Sequence, residues 1–316
     1  MLPTNIRINE TPVNTTLALI GYNQESMIRR AIDGALAQSG PPIEIIFSDD
    51  HSADGTFDVM QTAAEAYRGP HRIVLNRNSR NLGIGGHVAR VSELATGQWV
   101  ALAAGDDVSL PQRCARIDEL SASHPNAKAI VFKGTEQINR DTVSVKDVSS
   151  FELIRNYLFC GDGAYIAYHK DCFVWPELYP SDVWFEDRVL PFRASILGDV
   201  LVSNEHLIQY TRDKGSWRER VLPSEQLLLI IACARQAVSK GKEQSRLPAT
   251  EVRKIESKLA QLAKLYQYYS LTTLSENRLS RYSYEWLSRW ADFRLIGLNR
   301  KIQKIYRRLT RVPPAQ

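Results

Sequence analysis

Trp99-Val100-Ala101-Leu102-Ala103-Ala104-Gly105-Asp106-Asp107-Val108-Ser109 runs an apolar segment straight into two adjacent carboxylates, and a new amphipathic segment begins at Pro111. Two acids side by side at the end of a buried strand repel each other and lose solvation. A cation or a donor-rich ligand relieves that cost. Taken alone, the pair fits equally well as a strand-to-helix turn in which Asp caps the next helix. A second acidic cluster, Ser48-Asp49-Asp50-His51-Ser52-Ala53-Asp54-Gly55-Thr56, also follows an apolar run and tips the reading towards a ligand site.

Upstream of these clusters the chain alternates. Thr16 to Ile20 is a short β-type run closed by the turn Gly21-Tyr22-Asn23, and Ile28, Ala31, Ile32, Ala35 and Leu36 recur at helical spacing until Ser39-Gly40-Pro41-Pro42. Ile43 to Phe47 is a continuous apolar strand of the kind covered on both faces. Phe57, Met60, Ala64 and Tyr67 mark a helix, Arg72 to Leu75 a strand, and Gly83-Ile84-Gly85-Gly86 opens a helix through about Ala95, with Gly97 as its C-cap. This alternation predicts a parallel sheet with helices on both faces, whose ligands bind beyond the carboxyl ends of the strands. Asn23, Asp49-Asp50 and Asp106-Asp107 all fall there.

Downstream, Cys114, Ile117 and Leu120 continue one helical face, Ala127 to Phe132 reads as a strand, and residues 133–147 as a polar loop. Ser149 and Ser150 cap a helix over Phe151–Phe159, and Ala164–Tyr168 is a strand. Glu186-Asp187-Arg188 opens a helix through Ile196, and Asp199–Val202 and His206–Thr211 read as two further strands.

The composition, 44% hydrophobic and 24% charged over 316 residues, is that of a soluble globular protein with ample core. The first residues, with Asn5, Arg7, Asn9 and Glu10, lack the apolar core of a secretory signal, and the run Leu227 to Ala234 is too short to cross a bilayer. Cys114, Cys160, Cys172 and Cys233 show neither CxxC nor zinc spacing, which predicts buried free thiols and a cytoplasmic location. The charge is uneven. Residues 281–316 hold nine basic side chains and two acidic ones, a net +7, so the rest of the chain is −2 within the total of +5.

Three nucleotide-binding readings fail or weaken. The turn after the first strand is not GxGxxG, and the later Gly83, Gly85 and Gly86 lack that pattern, so a dinucleotide site is not indicated. No GxxxxGK[ST] exists, which excludes a P-loop. The first 150 residues have no basic groove interleaved with aromatics, which argues against nucleic acid as their ligand.

Together the motifs resemble the family 2 glycosyltransferases, nucleotide-sugar-dependent enzymes with the GT-A fold. The resemblance covers about Thr15 to Trp217. It rests on the order and spacing of Gly21-Tyr22-Asn23, Gln38, the 48–56 cluster, Asn81-Leu82-Gly83, Ala95-Thr96-Gly97-Gln98-Trp99, Gly105-Asp106-Asp107, Glu186-Asp187 and Tyr210-Thr211-Arg212. It implies an α/β, Rossmann-like mixed sheet flanked by helices, with a catalytic domain over residues 1–220 and a helical C-terminal region over 221–316. By the same resemblance Asp50 meets the pyrimidine base, Asp106 lies near the ribose, and Asp107 holds Mn²⁺ or Mg²⁺ against the diphosphate. Tyr22, Asn23 and Gly83 lie on the donor side, and Arg212 and Lys214 near the diphosphate. Asp187 is the implied base that deprotonates the acceptor hydroxyl in a single inverting displacement, with Glu186 as its rival. A capping carboxylate at a helix N-terminus is the plain alternative for Asp187.

The sequence departs from the family pattern in several places. Ile20-Gly21-Tyr22-Asn23 stands for the usual PTYN, the common Arg-Asn of the third helix is replaced near Val88-Ala89, and neither QxxRW nor a membrane span accompanies the domain. The last two absences favour transfer of one sugar per encounter, and the resemblance implies a glycan or polyprenyl-linked acceptor. A non-catalytic sugar-nucleotide or glycan-binding relative is the alternative reading.

In the last third, Val252, Ile255, Leu259, Leu262, Tyr266 and Tyr269 form an a/d seam that packs on its own domain or on a second copy of the chain. Trp286, Trp290, Phe293, Ile296, Ile302, Ile305 and Tyr306 interleave with the basic residues of the tail. That pattern suits the headgroup region of an anionic membrane, or else a solvated basic helix with a core-facing stripe.

Overall fold

A computed structural model describes residues 12–135, 145–147, 163–174, 186–211, 224–244 and 246–273. The first half alternates as β1 (Thr15–Gly21), α1 (Glu25–Leu36), β2 (Glu44–Asp49), α2 (Thr56–Ala66), β3 (Arg72–Arg77), α3 (Gly83–Leu94) and β4 (Trp99–Ala104). There follow β5 (Val108–Ser109), α4 (Arg113–Ser123), β6 (Ala127–Thr135), β7 (Val145–Asp147), a 3-10 turn at Gly163–Tyr165, and β8 (Ile166–His169). The last elements are α5 (Glu186–Leu197), β9 (Asp199–Gln209), α6 (Ser224–Glu243) and α7 (Ala249–Thr273).

The strands form one mixed sheet of order β3-β2-β1-β4-β8-β6-β9-β5, with β7 paired to β9. β3, β2, β1 and β4 are parallel, β8 enters antiparallel between β4 and β6, and β6 runs parallel to β9. The period of two along each strand sorts the core. Leu17, Leu19, Ile45, Phe47, Ala101 and Ala103 face α1, α2 and α4, whereas Ala18, Ile46, Val100 and Leu102 face α3, α5, α6 and α7. All six residues of β2 are buried, as a strand covered on both faces requires.

The seam of α7 packs within the chain: Val252, Ile255, Leu259 and Leu262 are buried in the same apolar cluster as α5 and α6. Gln38 ties two helices together. Its Nε2 donates to Gly34 O and Leu110 O, and its Oε1 accepts the Cys114 N–H at the start of α4. Cys114, Cys172 and Cys233 are buried and free. Among the described residues no helix is long and apolar enough to cross a membrane. Cys160, the 151–159 helix and the 281–316 tail lie outside the described residues.

Four readings change, three of them in the second half. β6 continues to Thr135 and β7 lies within the stretch expected to be loop. Gly163–Tyr165 is a 3-10 turn, and β8 starts only at Ile166. The two strands expected after Asp199 are one, β9. Its polar middle, Ser203-Asn204-Glu205, stays in the sheet because register shifts against β6 absorb it, and Glu205 is held by Arg116 Nε at 2.9 and 3.0 Å. Finally, Gly97 does not cap α3, which ends with Ala95 in extended conformation. Its N–H instead donates to Thr16 Oγ1 at 3.0 Å, and a Cβ there would lie 2.7 Å from Thr16 N.

That close approach makes a prediction. Gly97→Ala must push β1 away from the entry to β4 and should cost about 1–3 kcal/mol, the usual range for overpacking. Urea denaturation of the two proteins measures it, and an unchanged midpoint would show that the strand yields freely.

Candidate active site

β1, β2 and β4 are neighbours, with Gly21 opposite Asp49 and Ile20 opposite Ala104, so the turns that follow them open on one edge of the sheet. The first two turns are stitched together. Asn23, at φ 51°, donates its N–H to Ser52 Oγ (2.9 Å) and accepts the Ala53 N–H on Oδ1 (2.9 Å). Gln24 N–H donates to Thr56 Oγ1 at 2.8 Å, and Gly55 N–H to Glu25 Oε2 at 3.0 Å. Asn23 thus holds the loop, and beside it Tyr22 is exposed at 48%. Asp49, fully buried, accepts from Ser52 N–H and Ser52 Oγ and pairs with Arg77.

Asp50 is the buried acid that faces the next turn. Its Oδ1 accepts from Asn78 Nδ2 (2.8 Å) and from Leu82 N–H (2.9 Å), the latter just ahead of α3. Gly83, at φ 71°, opens that helix with its N–H on Asn81 Oδ1 and nothing within 4 Å of where a Cβ would stand. The left-handed backbone there is the reason for glycine. Below the turn, Asn76 Nδ2 donates to Asn78 Oδ1 and to Ser48 Oγ, and Ser48 Oγ lies 2.7 Å from His87 Nε2. Burial pushes the His87 imidazole down to about 4 despite the pull of Asp50 and Asp49, so it is neutral at pH 7.

Asp107 is buried, and its Oδ1 accepts the Thr211 N–H at 2.9 Å, which ties the end of β9 to the β4–β5 turn. Behind the pair of acids lies Arg113, wholly buried. Its Nη1 donates to Ser109 Oγ, and its Nη2 donates to Leu102 O and Ala164 O at 2.7 and 2.8 Å. Burial lowers the guanidinium to about 10, which leaves it charged at neutral pH. Tyr165 stands edge-on to Tyr210, and burial together with the nearby Asp107 raises its hydroxyl well above the usual range. Sequence reasoning missed Arg113, Tyr165, Asn78 and His87. A signal existed for two of them: Arg113 and His87 sit on the apolar stripes of their helices, in line with Ile117 and Val91.

Glu186 and Asp187 form the first turn of α5. Burial and then Asp187 push the Glu186 carboxyl up to about 8. Burial pushes Asp187 up to about 6, with Arg188 pulling back. Asp187 Oδ1 is buried and accepts no hydrogen bond among the described residues. Gly163, at the head of the turn that carries Tyr165, is pressed so closely on Glu186 that a Cβ would collide with its Oε1. The turn therefore links the α5 acids to the Asp107 side of the site. Arg212 and Lys214 lie outside the described residues.

Among the described residues no three His, Cys, Asp or Glu side chains converge to hold an ion. Asp106 and Asp107 offer oxygen donors of the kind a hard divalent cation takes, and such an ion would complete its shell from ligand or water oxygens.

Residues 16–159 match the family described as Glycosyl transferase family 2. The succinoglycan biosynthesis protein ExoO of Rhizobium meliloti is 33% identical over 148 residues, which is 47% of this chain and 40% of ExoO. The chain spans less than half the length of the curated relatives it matches. Among solved structures, S. aureus TarS 1-349 in complex with UDP-GlcNAc superposes with TM-score 0.61 at 15% identity, over 90% of this chain and 78% of that one. The mannosyltransferase PcManGT of Pyrobaculum calidifontis, in complex with GDP-Man and Mn²⁺, gives 0.54 at 14%, over 92% and 81%. These two likenesses are of fold, the GT-A fold.

The α5 acids predict a stability trade. Asp187 ionises near 3.8 when unfolded and near 6 when folded, so folding is penalised once pH rises above about 4, and the penalty is complete above about 6. Asp187→Asn should therefore melt higher than the native chain at pH 7.5 and about equally at pH 4, the gap opening between those limits. Melting curves across pH test this, and a gap independent of pH would contradict it.

Proposed function

We propose that this chain, whose residues 16–159 match Glycosyl transferase family 2, is an inverting sugar transferase of that family. The donor is a nucleoside-diphosphate sugar, UDP or dTDP. The acceptor is a hydroxyl of a glycan or polyprenyl-linked sugar in surface polysaccharide synthesis. The observation that carries this reading is the grouping of acids. Asp50 and Asp106-Asp107 follow β2 and β4, the strands on either side of β1, at one edge, and the Gly163–Tyr165 turn joins that edge to Asp187 with its raised pKa. The name of ExoO supports the pathway class, and the complexes of TarS and PcManGT support a sugar nucleotide as donor.

In the proposed reaction Asp50 accepts the imide N–H of the base, Asp106 lies at the ribose, and Tyr22, Asn23 and Gly83 shape the donor side. Arg212 and Lys214 meet the diphosphate. Asp107 would hold Mn²⁺ or Mg²⁺; when bound, that ion supplies neutralisation of charge on the leaving diphosphate. Asp187 takes the proton of the acceptor hydroxyl as its oxygen bonds to the anomeric carbon. The bond to the diphosphate breaks on the opposite face, and the nucleoside diphosphate leaves with the electron pair.

A panel of UDP-, dTDP- and GDP-sugars with Mn²⁺, assayed for nucleotide release, tests this. Release is expected from a UDP- or dTDP-sugar, with most turnover lost in Asp107→Asn or on chelation. Asp187→Asn should lower kcat by about 10²–10⁴-fold with donor affinity little changed. A folded protein that binds donors without turnover would be a binding module instead.

We further propose peripheral attachment to the inner face of the cytoplasmic membrane through residues 281–316. Each Lys or Arg near an anionic surface contributes about 1 kcal/mol. Trp286, Trp290 and Phe293 add about 1.5–3 kcal/mol each when inserted. A chain ending at Leu279 should fold, release nucleotide and lose co-sedimentation with anionic vesicles, and binding by the full chain should weaken as salt rises. Equal sedimentation of both folded proteins rules the tail out as anchor.

A further inference from the structure

A run of hydrogen bonds lies beneath Asp50. Ser48 Oγ lies 2.7 Å from His87 Nε2 and accepts from Asn76 Nδ2 at 2.9 Å. The second Nδ2 hydrogen of Asn76 goes to Asn78 Oδ1 at 3.0 Å. That bond fixes which way the Asn78 amide faces, and its own Nδ2 must then point at Asp50 Oδ1, 2.8 Å away. A flipped amide would set oxygen against oxygen at Asp50 and N–H against N–H at Asn76. The backbone of Asn78 is held as well, its N–H by Asp49 O at 2.9 Å and its carbonyl by His51 Nδ1 at 3.2 Å. Ser48, Asn76, Asn78 and His87 are all buried. Such a network, fully satisfied, fixes one geometry.

Its consequence is an asymmetric carboxylate. Asn78 and Leu82 both donate to Oδ1, whereas Oδ2 receives no bond among the described residues. An unencumbered carboxylate accepts two parallel N–H donors, one on each oxygen. Guanine presents such a pair, from N1 and the exocyclic amine. Uracil and thymine present one N–H flanked by carbonyls. We infer that Asn78, oriented by Asn76, is a positioning residue that restricts Asp50 to one open oxygen and thereby selects uracil or thymine over guanine in the donor. This rests on the reading of Asp50 as the base contact.

The test is calorimetric binding of UDP and of GDP, with Mn²⁺, to the full chain and to Asn78→Ala, Asn76→Ala and Asp50→Asn, with a melting curve for each. The native protein should prefer UDP by tenfold or more. Asn78→Ala should narrow that preference by about tenfold, the size expected for one charge-assisted hydrogen bond. A structural role alone would lower the melting point and leave the ratio unchanged. Should Asn78→Ala fail to fold, Asn76→Ala reads the same ratio, because it frees the Asn78 amide to turn over. A folded Asn78→Ala with the native ratio, or a native protein that prefers GDP, overturns the inference. If neither nucleotide binds, or if Asp50→Asn binds UDP as well as the native chain, the donor reading itself has failed.

Discussion

Carboxylates taken out of water at the ends of parallel strands are expensive unless donors meet them, and the architecture around the site is largely the set of donors that do so. Asp49 is met by Ser52 and Arg77, Asp50 by Asn78 and Leu82, and Asp107 by Thr211. Ser52 belongs to the turn that follows Asp49, and Arg77 ends β3 beside it. Asn78, Leu82 and Thr211 come from other turns, so satisfying Asp50 and Asp107 fixes those turns against one another. The β1–α1 turn is bonded to the β2–α2 turn at Asn23, Gln24 and Glu25 for the same reason. For the proposed donor site, loops held to one another in this way lower the ordering cost of binding.

What could be read from the sequence follows the range of the forces involved. The Ile43–Phe47 run, the helical stripes and the acid pairs after apolar runs are local signals, and β2, α1 to α4 and the site edge appear where those signals lie. Local signals fail where pairing is distant. Val108-Ser109 becomes a strand only because Gln209 and Ile208 come to lie beside it, a hundred residues on. Ser203-Asn204-Glu205 breaks the alternation of β9, and only the bulged register with β6 and the Arg116 pair keep it extended. Gly97 followed a helix and so resembled a cap, but its reason is the backbone of β1.

The same limit explains the residues that were missed. Asn78 in a turn is unremarkable by composition, because asparagine is common there for its own local hydrogen bonds. Its meaning depends on Asn76 and Asp50, which are brought near by strand pairing between β2 and β3. Arg113 is different. A charged residue on an apolar helical stripe is a conflict between local pattern and charge, and such conflicts gather at functional sites. Here the guanidinium is held by carbonyls and a hydroxyl from three separate segments, so it braces the floor of the Asp106-Asp107 turn.

The two acids of α5 show how burial sorts chemical roles. Both are raised, but unequally: Glu186 to about 8, Asp187 to about 6. The two carboxyls are neighbours and titrate as a pair, so the pair keeps a proton to higher pH than free carboxylates do. Glu186 is pressed against Gly163, which leaves no room for a ligand on that side. Asp187 instead has one buried oxygen with no hydrogen bond among the described residues. An oxygen of that kind can meet the proton of an acceptor hydroxyl. For the proposed transfer this geometry favours Asp187 over its neighbour on grounds independent of any motif.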